Sequence, residues 1–221
     1  MRSASGPARP DLRHERRLVR RGLGPIAGLD EVGRGALAGP IYAAAVILPV
    51  ERRGLAHALS HVRDSKMLTP RQRRNCAAEI RRLAVDWALG EAACDEVDRW
   101  GPLQATRLAM RRAFDALTVQ SRHVLIDHLR LPELPCDQTP LTHGDALVLT
   151  IAAASVLAKV ARDQAMEGLA RIYPTYGFSR HKGYGTASHL QALRRWGPCP
   201  IHRRSFEPVA ALIKWPVVRG Q

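Results

Sequence analysis

The chain has 221 residues, with 34 Lys and Arg against 20 Asp and Glu, giving a formal charge of +14; it is long enough for one buried core and far from neutral. The surplus excludes an acidic surface and favours a polyanionic partner through counterion release, although an arginine-biased composition with 15 prolines yields the same charge without one. No apolar run reaches membrane-span length, no signal-peptide core is visible, and Cys76, Cys94, Cys136 and Cys199 lack metal-binding spacing, which together lead us to expect a reduced, cytoplasmic protein with no membrane partner.

Residues 1–25 hold Arg2, Arg9, Arg13, Arg16, Arg17, Arg20 and Arg21 among Ser, Gly and Pro, the composition of a disordered basic arm with a little helix near residues 12–20. The run Ile26-Ala27-Gly28-Leu29-Asp30-Glu31 reads as a short apolar strand, Gly33-Arg34-Gly35 as a turn, and residues 41–48 as a longer strand. Consecutive strand side chains face opposite ways. Asp30 and Glu31 therefore serve one centre only if the backbone leaves regular geometry there, which Gly33 and Gly35 permit.

Further along, Asp64-Ser65-Lys66 precedes Thr69-Pro70, a helix start whose apolar stripe is Cys76, Ala77, Ile80, Leu83 and Ala84. Residues 85–90 read as a strand, and Pro102 opens a helix with Leu103, Thr106, Met110, Phe114 and Leu117 on one face. A strand over residues 123–126 ends at Asp127. Pro132, Pro135 and Pro140 break the next segment into a loop that leads to Gly144-Asp145. From residue 146 to 161 the chain is almost wholly apolar, and Ala152-Ala153-Ala154-Ser155 would let a helix lie close to a sheet. Asp145, near its first turn, sits where a helix dipole stabilises a carboxylate. Lys159, inside that helix, needs a partner if buried. A short helix begins at Thr186, with Leu190 and Leu193 inward. The sum is an α/β fold, a mixed sheet with helices packed on it.

Asp30, Glu31, Asp127 and Asp145 all fall at the ends of apolar segments. Singly, each is an ordinary solubilising or capping acid. Gathered at one sheet edge they would repel unless cations neutralised them. An all-oxygen set suits Mg²⁺ or Mn²⁺ rather than zinc, and two such ions about 4 Å apart can drive phosphodiester hydrolysis.

Seven motifs resemble, in order, those of the type 2 ribonuclease H (ribonuclease HII) family. They are Gly28-Leu29-Asp30-Glu31-Val32-Gly33-Arg34-Gly35, Asp64-Ser65-Lys66, Leu125-Ile126-Asp127, Gly144-Asp145, the helix over residues 151–160 with Arg162-Asp163, His181-Lys182-Gly183-Tyr184, and His202-Arg203-Arg204-Ser205-Phe206. The resemblance implies a ribonuclease H-like fold, with a five-stranded mixed sheet flanked by helices over residues 26–170. A C-terminal helical appendage over residues 171–221 would complete the substrate site, with the arm of residues 1–25 outside it.

The implied activity is cleavage of RNA in RNA–DNA hybrids and on the 5′ side of single ribonucleotides in duplex DNA, leaving 3′-hydroxyl and 5′-phosphate ends, as in ribonucleotide excision repair. Asp30, Glu31, Asp127 and Asp145 occupy the family's catalytic and metal-binding positions, for two Mg²⁺ or Mn²⁺ ions. Gly33, Arg34 and Gly35 match the loop that senses the 2′-hydroxyl through backbone groups, and Tyr184 the tyrosine that stacks on the following sugar. Ser65 and Lys66 could hold a phosphate. A monomer suffices, and contact with a sliding clamp is left open. His128 stands where the family has glycine, His143 where it has lysine, and Ala146 where it has a polar residue. The competing reading is a nucleic-acid-binding module of this fold that has lost catalysis.

Overall fold

Two antiparallel strands with apolar side chains on both faces, β1 (Ile26–Val32) and β2 (Ile41–Ile47), form the middle of the sheet. They are seen in a computed structural model that describes residues 9–63 and 65–214; Arg2 of the basic arm and Asp64 lie outside the described residues. β2 pairs antiparallel with β3 (Asp86–Ala92); β1 pairs parallel with β4 (His123–Asp127), and β4 parallel with β5 (Asp137–Leu141). The order is β3-β2-β1-β4-β5, the mixed five-stranded sheet expected from the sequence.

Alternation sends the strand side chains to two helical layers. Leu29, Ala43 and Ala45 pack with Ala105, Ala109 and Met110 of α4 (Cys94–Asp115). On the other face, Ala44 and Val46 pack with Ala153 and Val156 of α6 (Leu149–Ile172) and Ile80 of α3 (Pro70–Leu83). The helix α3 starts as its sequence demands: Thr69 accepts from the Gln72 N–H, Gln72 returns the bond, and Pro70 follows. Gly28 lets α6 lie against β1, because a Cβ there would stand 2.5 Å from the Thr150 carbonyl carbon.

Four local expectations are corrected. The strand does not break at the acids: Asp30, Glu31 and Val32 pair regularly with Ala44, Ala43 and Tyr42, and the turn begins at Gly33. The helix expected from Pro102 has an earlier piece starting at Cys94; Gly101, at φ 76° and ψ 162°, interrupts it and Pro102 restarts it. Only Val97 is both apolar and buried in that first piece, so its periodicity was faint. The proline-broken loop contains β5, where Pro140 is tolerated because the strand is at the sheet edge. Finally, the arm has the little helix expected near residues 12–20, but it is packed rather than loose from residue 11 onward. Asp11 bridges to Val148, and the helix α1 (Arg13–Val19) buries Leu18, with Leu12 buried just before it. Glu15 accepts from the N–H and hydroxyl of Thr150, supplying the cap that α6 lacks in its own sequence.

The remaining helices are α2 (Leu55–Ala58), α5 (Gly144–Leu147), α7 (Phe178–His181), α8 (Ala187–Trp196) and α9 (Val209–Lys214). The last three pack over the turn after β1: Ala38 joins Met166, Phe178 and Cys199, and Leu37 joins Leu193 and Val209. Among the described residues no helix is long and apolar enough to cross a membrane.

Candidate active site

The parallel ladder between β1 and β4 ends at Leu29 and Ile126, so Asp30 and Asp127 are the next residues on two neighbouring strands. That is how distant acids meet without a broken strand. Asp30 is 6% exposed; its Oδ1 accepts the Glu31 N–H at 2.8 Å, and the Ser155 hydroxyl of α6 also bonds to its carboxylate. Asp127 Oδ1 accepts the Gly144 N–H at 2.7 Å. Gly144 opens α5, and Asp145 is the next residue, in its first turn.

The carboxylates feel one another. Burial pushes the Asp30 carboxyl well above the usual range, and the charges of Glu31 and Asp127 push it further. Burial and Asp127 raise Glu31 as well, against the opposing pull of Arg34 and Lys66. A divalent cation would relieve this field, and a set made only of carboxylates fits a hard ion such as Mg²⁺ or Mn²⁺. Among the described residues, no three His, Cys, Asp or Glu side chains already form a ligating group, as expected of like charges without a counterion.

Beside the acids, two fully buried arginines fasten the turn over residues 33–40 from below. Arg203 donates from Nη2 to the Gly33 carbonyl at 2.8 Å and from Nη1 to the Arg34 carbonyl at 2.8 Å. Its Nε and Nη2 also reach the Gly39 carbonyl, at 3.1 and 2.8 Å. Arg162 donates to the carbonyls of Pro40, Lys182 and Ala38, at 3.0, 2.8 and 3.1 Å. Burial, with the nearby charge of Arg162, pulls Arg203 down to about 10, so it remains a cation at neutral pH. Gly33 has φ +91°, and a Cβ there would run into the Arg162 guanidinium. Arg34 and Gly35 are exposed, and a Cβ on Gly35 would meet open space.

Tyr184 stands next to this turn. Its ring centroid lies 5.3 Å from the guanidinium carbon of Arg162, and the carbonyl of its neighbour Gly183 accepts the Leu37 N–H at 2.8 Å. Lys66 is exposed and its charge acts on Glu31. Ser65 faces inward instead: it is 4% exposed, with its hydroxyl 3.2 Å from that of Ser155. It thus stands beside the serine that bonds Asp30. Lys159 has the partner its position required, Asp163 at 2.7 Å.

The sequence pointed to no role at the acids or the glycine turn for Ser155, Arg162 or Arg203. All three lie inside the motifs, but only tertiary contact shows that the arginines are buried against carbonyls rather than solvated.

Acids at the ends of adjacent parallel strands, beside a backbone turn held by cations, define an α/β nuclease of the ribonuclease H architecture. The ribonuclease HII family model matches residues 27–209, and the chain belongs to that family of metal-dependent endoribonucleases, which act on RNA–DNA hybrids. It is 51% identical over 193 residues to "Ribonuclease HII" of Moorella thermoacetica, covering 87% of this chain and 91% of that one. It is 49% identical over 210 residues to "Ribonuclease HII" of Anaeromyxobacter sp., covering 95% of this chain; the chain spans 65% of that longer relative. The crystal structure of ribonuclease H2 from Pyrococcus horikoshii OT3 superposes with a TM-score of 0.70 at 22% identity, over 86% of this chain and 97% of that one, a likeness of fold.

Proposed function

We propose that this protein cuts the RNA strand of RNA–DNA hybrids and also cuts 5′ to single ribonucleotides in duplex DNA, leaving 3′-hydroxyl and 5′-phosphate ends, in the service of ribonucleotide excision repair. The observation that carries the reading is the meeting of Asp30 and Asp127 at the end of the β1–β4 ladder, with Glu31 next to Asp30, beside the arginine-held glycine turn. Asp145, next to the residue that donates to Asp127, is the fourth acid.

The four carboxylates would hold two divalent ions, Mg²⁺ or Mn²⁺, which when bound supply Lewis acidity for hydrolysis of the phosphodiester. The chain's own residues do the rest. Ser155 and the Glu31 N–H fix the orientation of Asp30, and the Gly144 N–H fixes Asp127. In a planar trans peptide the N–H points opposite to the C=O. By drawing the Gly33 and Arg34 carbonyls inward, Arg203 turns the N–H groups of Arg34 and Gly35 outward, where they can meet a 2′-hydroxyl in a minor groove. Arg34 and Lys66 face phosphates, and Tyr184 stacks on the sugar after the ribonucleotide. Ser65 supports Asp30 through Ser155. In this reading the catalytic domain spans residues 26–170, the segment from residue 171 onward completes the substrate surface, and the protein acts as a cytoplasmic monomer.

The test is cleavage of a labelled duplex containing one ribonucleotide, with Mg²⁺ or Mn²⁺, by wild type and Asp30→Asn. Cutting 5′ to the ribonucleotide that falls by about a hundredfold or more in the variant supports the reading. Cutting only within longer RNA tracts, or equal cutting by both proteins, overturns it.

A further inference from the structure

Next to Tyr184, three histidines and a cysteine are packed around the fully buried ring of Phe178. His189 and His202 are 0% and 1% exposed, and His181 is 9% exposed. The His189 Nε2 and His202 Nε2 atoms are 3.1 Å apart. Two nitrogens at that distance share one proton, and their neighbours decide which carries it.

A carbonyl oxygen accepts and never donates, so a ring nitrogen whose shortest polar contact is a carbonyl must bear hydrogen. His189 Nδ1 faces the Tyr184 carbonyl at 2.9 Å and therefore carries a proton. In the neutral ring its Nε2 is then bare. The shared proton belongs to His202 Nε2, which leaves His202 Nδ1 bare to accept the Cys199 N–H at 3.0 Å, a shorter contact than the 3.3 Å to the Cys199 carbonyl. The Cys199 thiol, 3.1 Å from the same nitrogen, also points at an acceptor. His181 follows the same rule: its Nε2 donates to the Tyr176 carbonyl at 2.7 Å, and its Nδ1 accepts the Gly183 N–H at 3.2 Å. The shortest contact of each ring nitrogen is matched when the three rings are neutral and each holds this tautomer.

We propose that this chain of directed hydrogen bonds, Cys199 to His202 to His189 to the Tyr184 carbonyl, is a positioning relay that sets the backbone of Tyr184 against the glycine turn. His181 fixes the adjoining Gly183 N–H, and the Gly183 carbonyl holds Leu37 of the turn. The relay therefore joins the C-terminal segment to the element proposed to read the 2′-hydroxyl. His189 and His202 are positioning residues that never touch substrate, and their effect on cleavage rests on the proposed role of Tyr184.

Two substitutions at one site separate relay from packing. Asparagine can place an amide N–H where His189 has Nδ1 and keep the bond to Tyr184; glutamine reaches the Nε2 position and loses that bond. We expect His189→Gln to lower the preference for a single-ribonucleotide duplex over a continuous hybrid about five- to tenfold, the worth of one hydrogen bond, and His189→Asn, which keeps the bond to Tyr184 but not the link from His202, to fall between it and wild type. Both variants lose the same ring, so equal losses in both assign the histidine to packing and overturn the relay. Independently, ¹⁵N shifts of the imidazoles in the wild-type protein should show protonated Nδ1 in His189 and protonated Nε2 in His202 and His181. Any other pattern also overturns it. Tyr184→Ala serves as the control: an unchanged substrate preference there contradicts the role of Tyr184, while the nitrogen shifts still decide the relay.

Discussion

Arg203 Nη2 donates to the carbonyl oxygen of Gly33 at 2.8 Å from a wholly buried position, 170 residues further along the chain. With its bonds to the Arg34 and Gly39 carbonyls, it ties the C-terminal segment to the turn beside the acids. Truncation in Arg203→Ala would leave the carbonyls of Gly33, Arg34 and Gly39 without that donor. We expect a loss of about 2–4 kcal/mol in urea unfolding, from buried acceptors left unpaired. Arg203→Lys keeps the charge without the planar fork and should fall between the two.

Gly28 and Gly35 separate packing from substrate approach. Gly28→Ala puts a methyl group against the Thr150 backbone of α6 and should cost about 1–3 kcal/mol of stability. A methyl group on Gly35 meets nothing within 4 Å, so Gly35→Ala should unfold within about 0.5 kcal/mol of wild type. Any loss of cleavage in Gly35→Ala then reports crowding of the substrate; thermal melts and cleavage rates read both.

Asp30 should be an acid whose removal stabilises the protein. Its folded pKa is raised above 3.8, so the unfolded chain gives up its proton first, and the contribution of Asp30 to stability falls as pH rises from about 4 through the folded value. Without divalent ions at neutral pH, Asp30→Asn should melt about 2–4 °C higher than wild type, the shift that 1 kcal/mol produces at this size. The advantage should vanish near pH 4. A variant that melts lower throughout would contradict the electrostatic picture of the site.

His202 works in the opposite sense. Burial, aided by the nearby His189, pulls it from 6.5 to about 4. The unfolded chain takes up its proton first, so this contribution is present above about 6.5 and is lost as pH falls through about 4. Replacing the ring in His202→Gln should flatten wild-type stability across that window while lowering it near neutrality. Urea melts between pH 4 and 7 measure the slope.

The sheet was legible where one residue type dominated a segment: the apolar runs of β1, β2 and α6, and the Thr-Pro start of α3. It was not legible where context overrode local signals. Pro140 reads as a breaker until β5 is seen at an edge, and the charged residues around Val97 hide a helix that Gly101 divides. The basic arm looked solvated because the partner of Glu15 is Thr150, 135 residues away. Around the acids, spacing suggested a distorted strand, whereas the end of the β1–β4 ladder brings Asp30 and Asp127 together within regular geometry. The burial of Ser65 was not legible because a serine before an exposed lysine carries no mark of it.

The most direct test is a Mn²⁺ binding isotherm for wild type and for single Asp30→Asn, Asp127→Asn and Asp145→Asn variants, each shown to be folded by circular dichroism. If the ends of β1, β4 and the first turn of α5 form one divalent site, wild type binds with a measurable heat and each variant weakens binding by about tenfold or more, the change equal to 1.4 kcal/mol. Equal affinity in wild type and all three variants would contradict a shared carboxylate centre.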